Sequence, residues 1–65
     1  MSNAIRDLRL GKIMSQKDLA EASGVSERTI QRIESGESPN GLVAAKLARF
    51  FNVDLGIIER GEHDE

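Results

Sequence analysis

This sequence of 65 residues contains no cysteine, and its one histidine, His63, lies in the acidic C-terminal segment. Without cysteine it can form neither a disulfide nor a thiolate metal site, and a single histidine cannot build a metal cluster. Acid-base and nucleophilic catalysis need a positioned histidine, a cysteine or converging carboxylates, whereas the carboxylates here are spread along the chain. The sequence therefore predicts no metal, no cofactor and no catalytic residue, and it argues against an enzyme.

Long apolar runs are also missing. No stretch approaches the roughly 18 consecutive apolar residues that a membrane-spanning helix requires, and the N-terminus lacks the charged and then apolar pattern of a signal peptide. The lack of cysteine fits a reducing compartment. We therefore expect a soluble, cytoplasmic protein with no membrane partner.

The chain has no excess of positive charge, and its net charge is −2. Domains that bind polyanions without selectivity are usually basic throughout, so this balance argues against a general polyanion binder. The charges are unevenly distributed, because six Lys/Arg face five Asp/Glu up to Gly36, while three face six from Glu37 onward. Any nucleic-acid-binding face should lie in the first part.

Apolar spacing and capping residues predict one all-α domain over residues 1–65, with a core of about 4–60 and a flexible acidic tail at 61–65. Asn3, Ser15, Ser26, Asn40 and Asp54 can each cap a helix, whereas Gly24, Gly36 and Asn52 are typical helix stops. Leu10, Ile13, Met14 and Leu42 are expected to contribute to the core. The predicted helices are Ala4 to about Lys12, Gln16 to Ser23, Glu27 to about Ser35, Gly41 to Phe51, and Leu55 to about Arg60.

The second and third predicted helices, hinged at Gly24, have the pattern of a helix-turn-helix DNA reader. In the third helix Ile30 and Ile33 lie three residues apart and should face inward. At about 100° per residue, the outward arc then carries polar donors, namely Arg28, Gln31, Arg32 and Ser35.

The joined motif is more specific than any of its parts. It resembles the Cro/CI-type (XRE) helix-turn-helix family, and the likeness covers roughly Ala4 to Arg60. The resemblance implies a compact five-helix, lambda-repressor-like domain that acts as a symmetric dimer on a palindromic operator in double-stranded DNA. The residues that carry it are Ile5-Arg-x-Leu8-Arg, Ser15-Gln16-x-x-Leu19-Ala20, Gly24-Val25-Ser26, Thr29-Ile30-x-x-Ile33-Glu34-x-Gly36, Pro39, Leu47-Ala48 and Asn52-Val53-Asp54.

The resemblance also implies roles for individual residues. Bases would be read by Glu27, Arg28, Gln31 and Arg32, and phosphates contacted by Gln16, Lys17, Ser26 and Thr29. The chemistry is suitable, because arginine can span guanine O6 and N7, glutamine can pair with adenine, and glutamate can accept from cytosine. The alternative for the two arginines is a solvated face with ion pairs to nearby glutamates. Glu34 is expected to be structural and to pair with Arg6 or Arg9.

Three residues depart from the family pattern. Ile13 stands where the family often has glycine, so the end of the first helix could be built differently around Gly11. Glu37 stands in a loop that often carries Lys or Arg, which would weaken phosphate affinity. Glu27 brings negative charge toward DNA, which is unfavourable unless it meets a cytosine or a cation.

The sequence thus favours a sequence-specific DNA-binding transcriptional regulator that works as a homodimer, and it favours a repressor over an activator. The alternative is a module that keeps this fold but binds a protein partner, including an antitoxin-like regulator with weak DNA binding. The net acidity and the acidic loop allow this second reading.

Overall fold

The computed structural model describes residues 4–60, and of Arg60 only the backbone. The predicted cap at Asn3 and the acidic tail lie outside these residues. Between them the chain forms five helices and, in the part described, no strand, so the predicted all-α, five-helix fold is confirmed. The helices are α1 (Ala4–Gly11), α2 (Gln16–Ser23), α3 (Glu27–Glu34), α4 (Gly41–Phe51) and α5 (Leu55–Arg60).

Side-chain caps start the helices where the sequence predicts them. The Ser15 hydroxyl accepts from the amide of Asp18 (2.9 Å) and the Asp18 carboxylate accepts from the amide of Ser15 (3.2 Å), which completes a capping box. Ser26 accepts from Thr29 N–H at 3.2 Å, and Asn40 accepts from Val43 N–H at 2.8 Å. Each cap satisfies a backbone amide that the first helical turn leaves unpaired.

Left-handed residues end α2 and α4 at the predicted positions. Gly24 has a φ of 81° after α2, and Asn52 has a φ of 58° after α4. Glycine and asparagine are the residue types that adopt this conformation most readily, so both predicted stops are confirmed. The ends of α1 and α3 lie one residue earlier than predicted, at Gly11 and Glu34.

One cluster of buried apolar side chains joins all five helices. Fully burying an aliphatic side chain of this kind contributes about 1.5–3 kcal/mol. Those with no exposed surface include Ile5 from α1, Leu19 from α2, Ile30 from α3, Leu47 from α4 and Ile58 from α5. Each helix is therefore held by at least one side chain in a shared core, which fixes α2 and α3 on one scaffold.

Three expected core residues are instead exposed: Leu10 by 51%, Ile13 by 91% and Leu42 by 67%. Ile13 has a left-handed backbone with a φ of 56°, and only the following Met14 packs against the core. Leu42 lies one turn before the exposed Lys46, outside the buried stripe of α4. The prediction that these three residues enter the core was therefore wrong.

Across residues 4–60, no helix is both long and apolar enough to cross a membrane. Within the same range, no group of histidine, aspartate and glutamate side chains could hold a metal ion.

Candidate nucleic-acid interface

The helices α2 and α3 meet at a tight turn made by Gly24 and Val25. The side chain of Val25 is 4% exposed and fills the corner between the two helices. On α3, Ile30 and Ile33 are buried against the core, which fixes the rotation of the helix about its axis. The opposite side of α3 is consequently presented to solvent, as its apolar spacing predicts.

The four predicted base readers lie together on this open side. They line a single shallow depression on the surface, and Glu37 from the following loop completes it. All five side chains are exposed. Glu37 was predicted to lie in the loop and not in the site, although its position directly after the stop residue Gly36 is a usable signal. The residues of this recognition surface are Glu27, Arg28, Gln31, Arg32 and Glu37.

The two arginines of the recognition surface differ in their partners. The side chain of Arg28 makes no hydrogen bond or ion pair with any other described residue, so the local ion pairs considered for it are absent from this part of the chain. The Nε of Arg32 donates to Oε1 of Glu37 at 3.0 Å, and the two side chains are 61% and 53% exposed. Such an exposed pair contributes at most about 1 kcal/mol to stability. The guanidinium groups therefore remain accessible.

Gln16 lies beside this surface, at the start of α2. Its Nε2 donates to Oε1 of Glu34 at 3.0 Å. Glu34 in turn accepts from Arg9 through Nε (2.8 Å) and Nη2 (2.9 Å), while Nη1 of Arg9 donates to the carbonyl of Met14 at 2.8 Å. The expected pairing of Glu34 with Arg9 is thus confirmed. Since an amide has two N–H groups, Gln16 keeps one for a further acceptor.

The pair between Arg9 and Glu34 is largely shielded from water, with side chains that are 11% and 7% exposed. The hydrogen bond to Glu34 raises the pKa of Arg9, against a smaller opposing effect of burial. A bidentate arginine–carboxylate pair of this kind has a defined geometry. The pair therefore fixes the position of Gln16 relative to α3.

Three further phosphate candidates lie at the starts of α2 and α3. Lys17 is exposed in the first turn of α2. The Ser26 hydroxyl caps α3 and donates to Oγ1 of Thr29 at 2.8 Å. The Thr29 hydroxyl acts there as an acceptor, so its own proton remains to be donated to another group. These residues and Gln16 border the N-terminal ends of the two helices, where partial positive charge favours anions.

This geometry agrees with the comparisons with known proteins. The model of the helix-turn-helix family matches residues 5–58, which include both helices and the turn between them. The chain belongs to this Cro/CI-type helix-turn-helix family. No solved structure matches the chain.

Three relatives illustrate the range of proteins that this chain resembles. An uncharacterized HTH-type transcriptional regulator of Methanocaldococcus jannaschii is 39% identical over 66 aligned positions, which cover all of both chains. The cryptic phage CTXphi transcriptional repressor RstR of Vibrio cholerae is 36% identical over 55 residues, or 83% of this chain and 50% of the repressor. A putative HTH-type transcriptional regulatory protein of Methanoregula boonei is 40% identical over 57 residues, 88% of this chain.

The lengths of these relatives differ widely. The chain spans 17% of the Methanoregula boonei protein and 16% of a second archaeal relative, from Methanocorpusculum labreanum. The similarity to these longer proteins therefore concerns their helix-turn-helix portion, and it carries no information about the rest of them.

One departure from the Cro/CI-type pattern changes which residue adopts the left-handed backbone conformation after α1. Ile13, at the position where the family often has glycine, takes the left-handed conformation itself, whereas Gly11 is helical. A β-branched residue is unfavourable in that region, by about 1–2 kcal/mol. The turn is therefore not rebuilt around Gly11, as the sequence had allowed, and Ile13 is strained instead.

Proposed function

We propose that this helix-turn-helix domain binds double-stranded DNA in a sequence-specific way and acts as a cytoplasmic, non-enzymatic transcriptional regulator. The observation that carries the proposal is the recognition surface. It presents four polar side chains on the open side of α3, the second helix of the motif, which enters the major groove in proteins of this architecture. Family membership supports the same function.

Each residue of α3 in this surface has a base that it suits. Arg28 and Arg32 can each donate two hydrogen bonds to guanine O6 and N7, and Gln31 can pair with adenine N6 and N7. Glu27 can accept from the N4 amino group of cytosine. A good pair of this kind gives about 1–3 kcal/mol of discrimination against other bases.

Phosphate contacts would set the position of α3 in the groove. We assign them to Gln16, Lys17, Ser26 and Thr29, which surround the starts of α2 and α3. Contacts of this type fix register and orientation but carry no sequence information. The hydrogen bond between Gln16 and Glu34 supports this assignment, because it holds the amide at a constant position relative to the recognition helix.

We also propose that the domain acts as a homodimer on a palindromic operator, and its dimensions support this. Its longest principal extent is 26 Å, whereas successive half-sites on one side of DNA are about 34 Å apart. One copy can therefore read only one half-site, and two copies related by a two-fold axis would read both. Exposed Leu42 and Leu55 are apolar surface that a second copy could cover.

Repression is the mode of regulation that we favour. A relative that is 36% identical over 83% of this chain is named as a transcriptional repressor. A small domain bound to an operator can repress simply by occupying it, without a further activating surface.

An alternative function is recognition of a protein partner, including an antitoxin-like role. Glu27 and Glu37 favour this reading, because they place two carboxylates on the surface that would face DNA. Both would be repelled by phosphates wherever they lack a cation or an amino group.

The deciding experiment is the selection of bound sequences from a randomised duplex pool. The protein is then titrated against the selected sequence and against scrambled DNA over a salt series. We expect a palindrome with half-sites about one helical turn apart, bound at least about a thousandfold more tightly than scrambled DNA. A control with Arg49→Ala, which changes an exposed arginine of α4 outside the recognition surface, should select the same sequence. If nothing is enriched and only weak, salt-sensitive binding remains, the protein-binding alternative replaces the proposal.

A further inference from the structure

The chain turns back on itself immediately after the recognition helix. The amide of Gly36 donates to the carbonyl of Ile33 at 3.0 Å, and the amide of Glu37 donates to the carbonyl of Arg32 at 3.1 Å. These two bonds form a Schellman closure, which needs a left-handed residue at Gly36, and its φ is 117°. The backbone of Glu37 is thereby attached to the same residue that its side chain contacts.

The side chain of Glu37 engages only one edge of the Arg32 guanidinium. Its Oε1 accepts from Nε at 3.0 Å, and Nη1 and Nη2 make no hydrogen bond with any residue in the described range. A guanidinium can bind guanine end-on through its two terminal nitrogens. The carboxylate therefore occupies the edge that this contact does not use and leaves the other edge open.

From this arrangement we propose that Glu37 is a specificity-determining positioning residue, which orients Arg32 for guanine and thereby raises discrimination at the base pair that Arg32 reads. The inference rests on the proposed function, since it assumes that α3 lies in the major groove. The inference adds to the proposed DNA binding a role for Glu37, a loop residue that does not itself contact a base.

The Glu37 carboxylate would affect DNA binding in two ways, and only the first depends on the DNA sequence. A long arginine side chain has many rotamers, and a carboxylate at Nε restricts the guanidinium before DNA arrives, so that less freedom is lost on binding. The carboxylate also repels phosphates, and this repulsion is independent of sequence. The first effect strengthens binding to the correct site and so increases the ratio of its affinity to that of other sites. The second weakens binding to all sites by a common factor and leaves that ratio unchanged.

The test compares Glu37→Ala and Glu37→Gln with the parent on the selected operator, on all its single-base-pair variants and on scrambled DNA. Both substitutions should tighten binding to scrambled DNA by about 3- to 10-fold, because both remove a negative charge near phosphate. Glu37→Ala should also reduce discrimination at the base pair that Arg32 reads by about 3- to 10-fold. Glu37→Gln should reduce it less, because its amide oxygen can still accept from Nε.

The same substitution in an Arg32→Ala background separates positioning from general electrostatics. There, Glu37→Ala should change the affinity for every duplex by one common factor, because no guanidinium remains to be oriented. Unchanged discrimination in Glu37→Ala with Arg32 present overturns the inference and leaves the proposed function intact. A parent protein with no preference among the duplexes overturns both.

Discussion

Arg9 of α1 and Glu34 of α3 are joined by two parallel hydrogen bonds, from Nε to Oε2 at 2.8 Å and from Nη2 to Oε1 at 2.9 Å. The residues are 25 positions apart in the sequence, so the pair connects the first helix of the domain directly to the recognition helix. Gln16 and the carbonyl of Met14 bond to the same two side chains. A single ion pair thus connects α3 to three parts of the chain, namely α1, the turn after α1, and the first residue of α2.

Loss of this pair should destabilise the domain. Glu34→Gln removes the charge that balances the largely buried Arg9, and we expect the free energy of unfolding to fall by about 2 kcal/mol. Urea denaturation followed by circular dichroism measures this change. Glu37→Gln is the matched control, because it makes the same chemical change in an exposed ion pair, which contributes at most about 1 kcal/mol. Equal losses in the two variants would contradict a special role for the pair of Arg9 and Glu34.

Relief of strain at Ile13 should stabilise the domain. Ile13→Gly removes a β-branched side chain from a left-handed backbone, and the side chain is 91% exposed, so little burial is lost. The relief outweighs the extra freedom that glycine gives the unfolded chain, and we expect a net gain of about 0.5–1 kcal/mol. Ile13→Ala is the control, since it removes most of the same apolar surface while keeping a Cβ. If thermal unfolding shows that Ile13→Gly is no more stable than Ile13→Ala, backbone strain at Ile13 does not account for the gain in stability.

Helix starts were predictable because each depends on one or two local residues. Ser15, Ser26 and Asn40 supply an oxygen to an amide three residues ahead, and that spacing is visible in the sequence. Burial was less predictable where the backbone leaves its usual conformations. Ile13 is apolar but is itself the left-handed residue of the turn after α1, and no spacing rule indicates where such a turn points its side chains.

Two glycines should respond in opposite directions to the same substitution. Gly24→Ala places a Cβ on a residue with a φ of 81°, and no atom lies within 4 Å of that Cβ, so the cost is purely conformational. We expect a loss of about 1 kcal/mol in the free energy of unfolding. Gly11→Ala, at the end of α1 and also without a neighbour within 4 Å, should instead gain about 0.5–1 kcal/mol. Chemical denaturation of both variants checks the signs, and a gain at Gly24 would refute its left-handed conformation.

The candidate site was predictable as a helix face but not as a set of contacts. The spacing of Ile30 and Ile33 predicts which side of α3 is open, and the structure confirms it. The ion-pair partner of Arg32 depends on how the chain reverses after Gly36. The sequence indicates that Gly36 stops the helix, but it does not indicate in which direction the side chain of Glu37 points. The assignment of individual bases and phosphates to residues stays a prediction.

Each of the two arginines of α3 should control a separate base pair. Arg28→Ala and Arg32→Ala should each cost about 1–3 kcal/mol on the selected operator and relax discrimination at one or two positions. Titration against all single-base-pair variants of the operator identifies those positions. Arg49→Ala, outside the recognition surface, is the control and should leave the pattern of discrimination unchanged. If both α3 variants discriminate as the parent does, the assignment of base reading to these arginines is wrong.

Replacing Gln16 or Lys17 should weaken binding to all sequences, but only the replacement of Lys17 should alter the salt dependence of binding. Both are proposed to contact phosphate at the start of α2, so Gln16→Ala and Lys17→Ala should lower the affinity for operator and scrambled duplexes by similar factors. Lys17 carries a charge that displaces a condensed counterion, whereas the amide of Gln16 does not. The slope of log affinity against log salt should therefore become shallower by about 1 per bound domain in Lys17→Ala and remain unchanged in Gln16→Ala. Fluorescence anisotropy between low and moderate salt measures both slopes, and an unchanged slope in Lys17→Ala would mean that Lys17 is only a solvated surface charge.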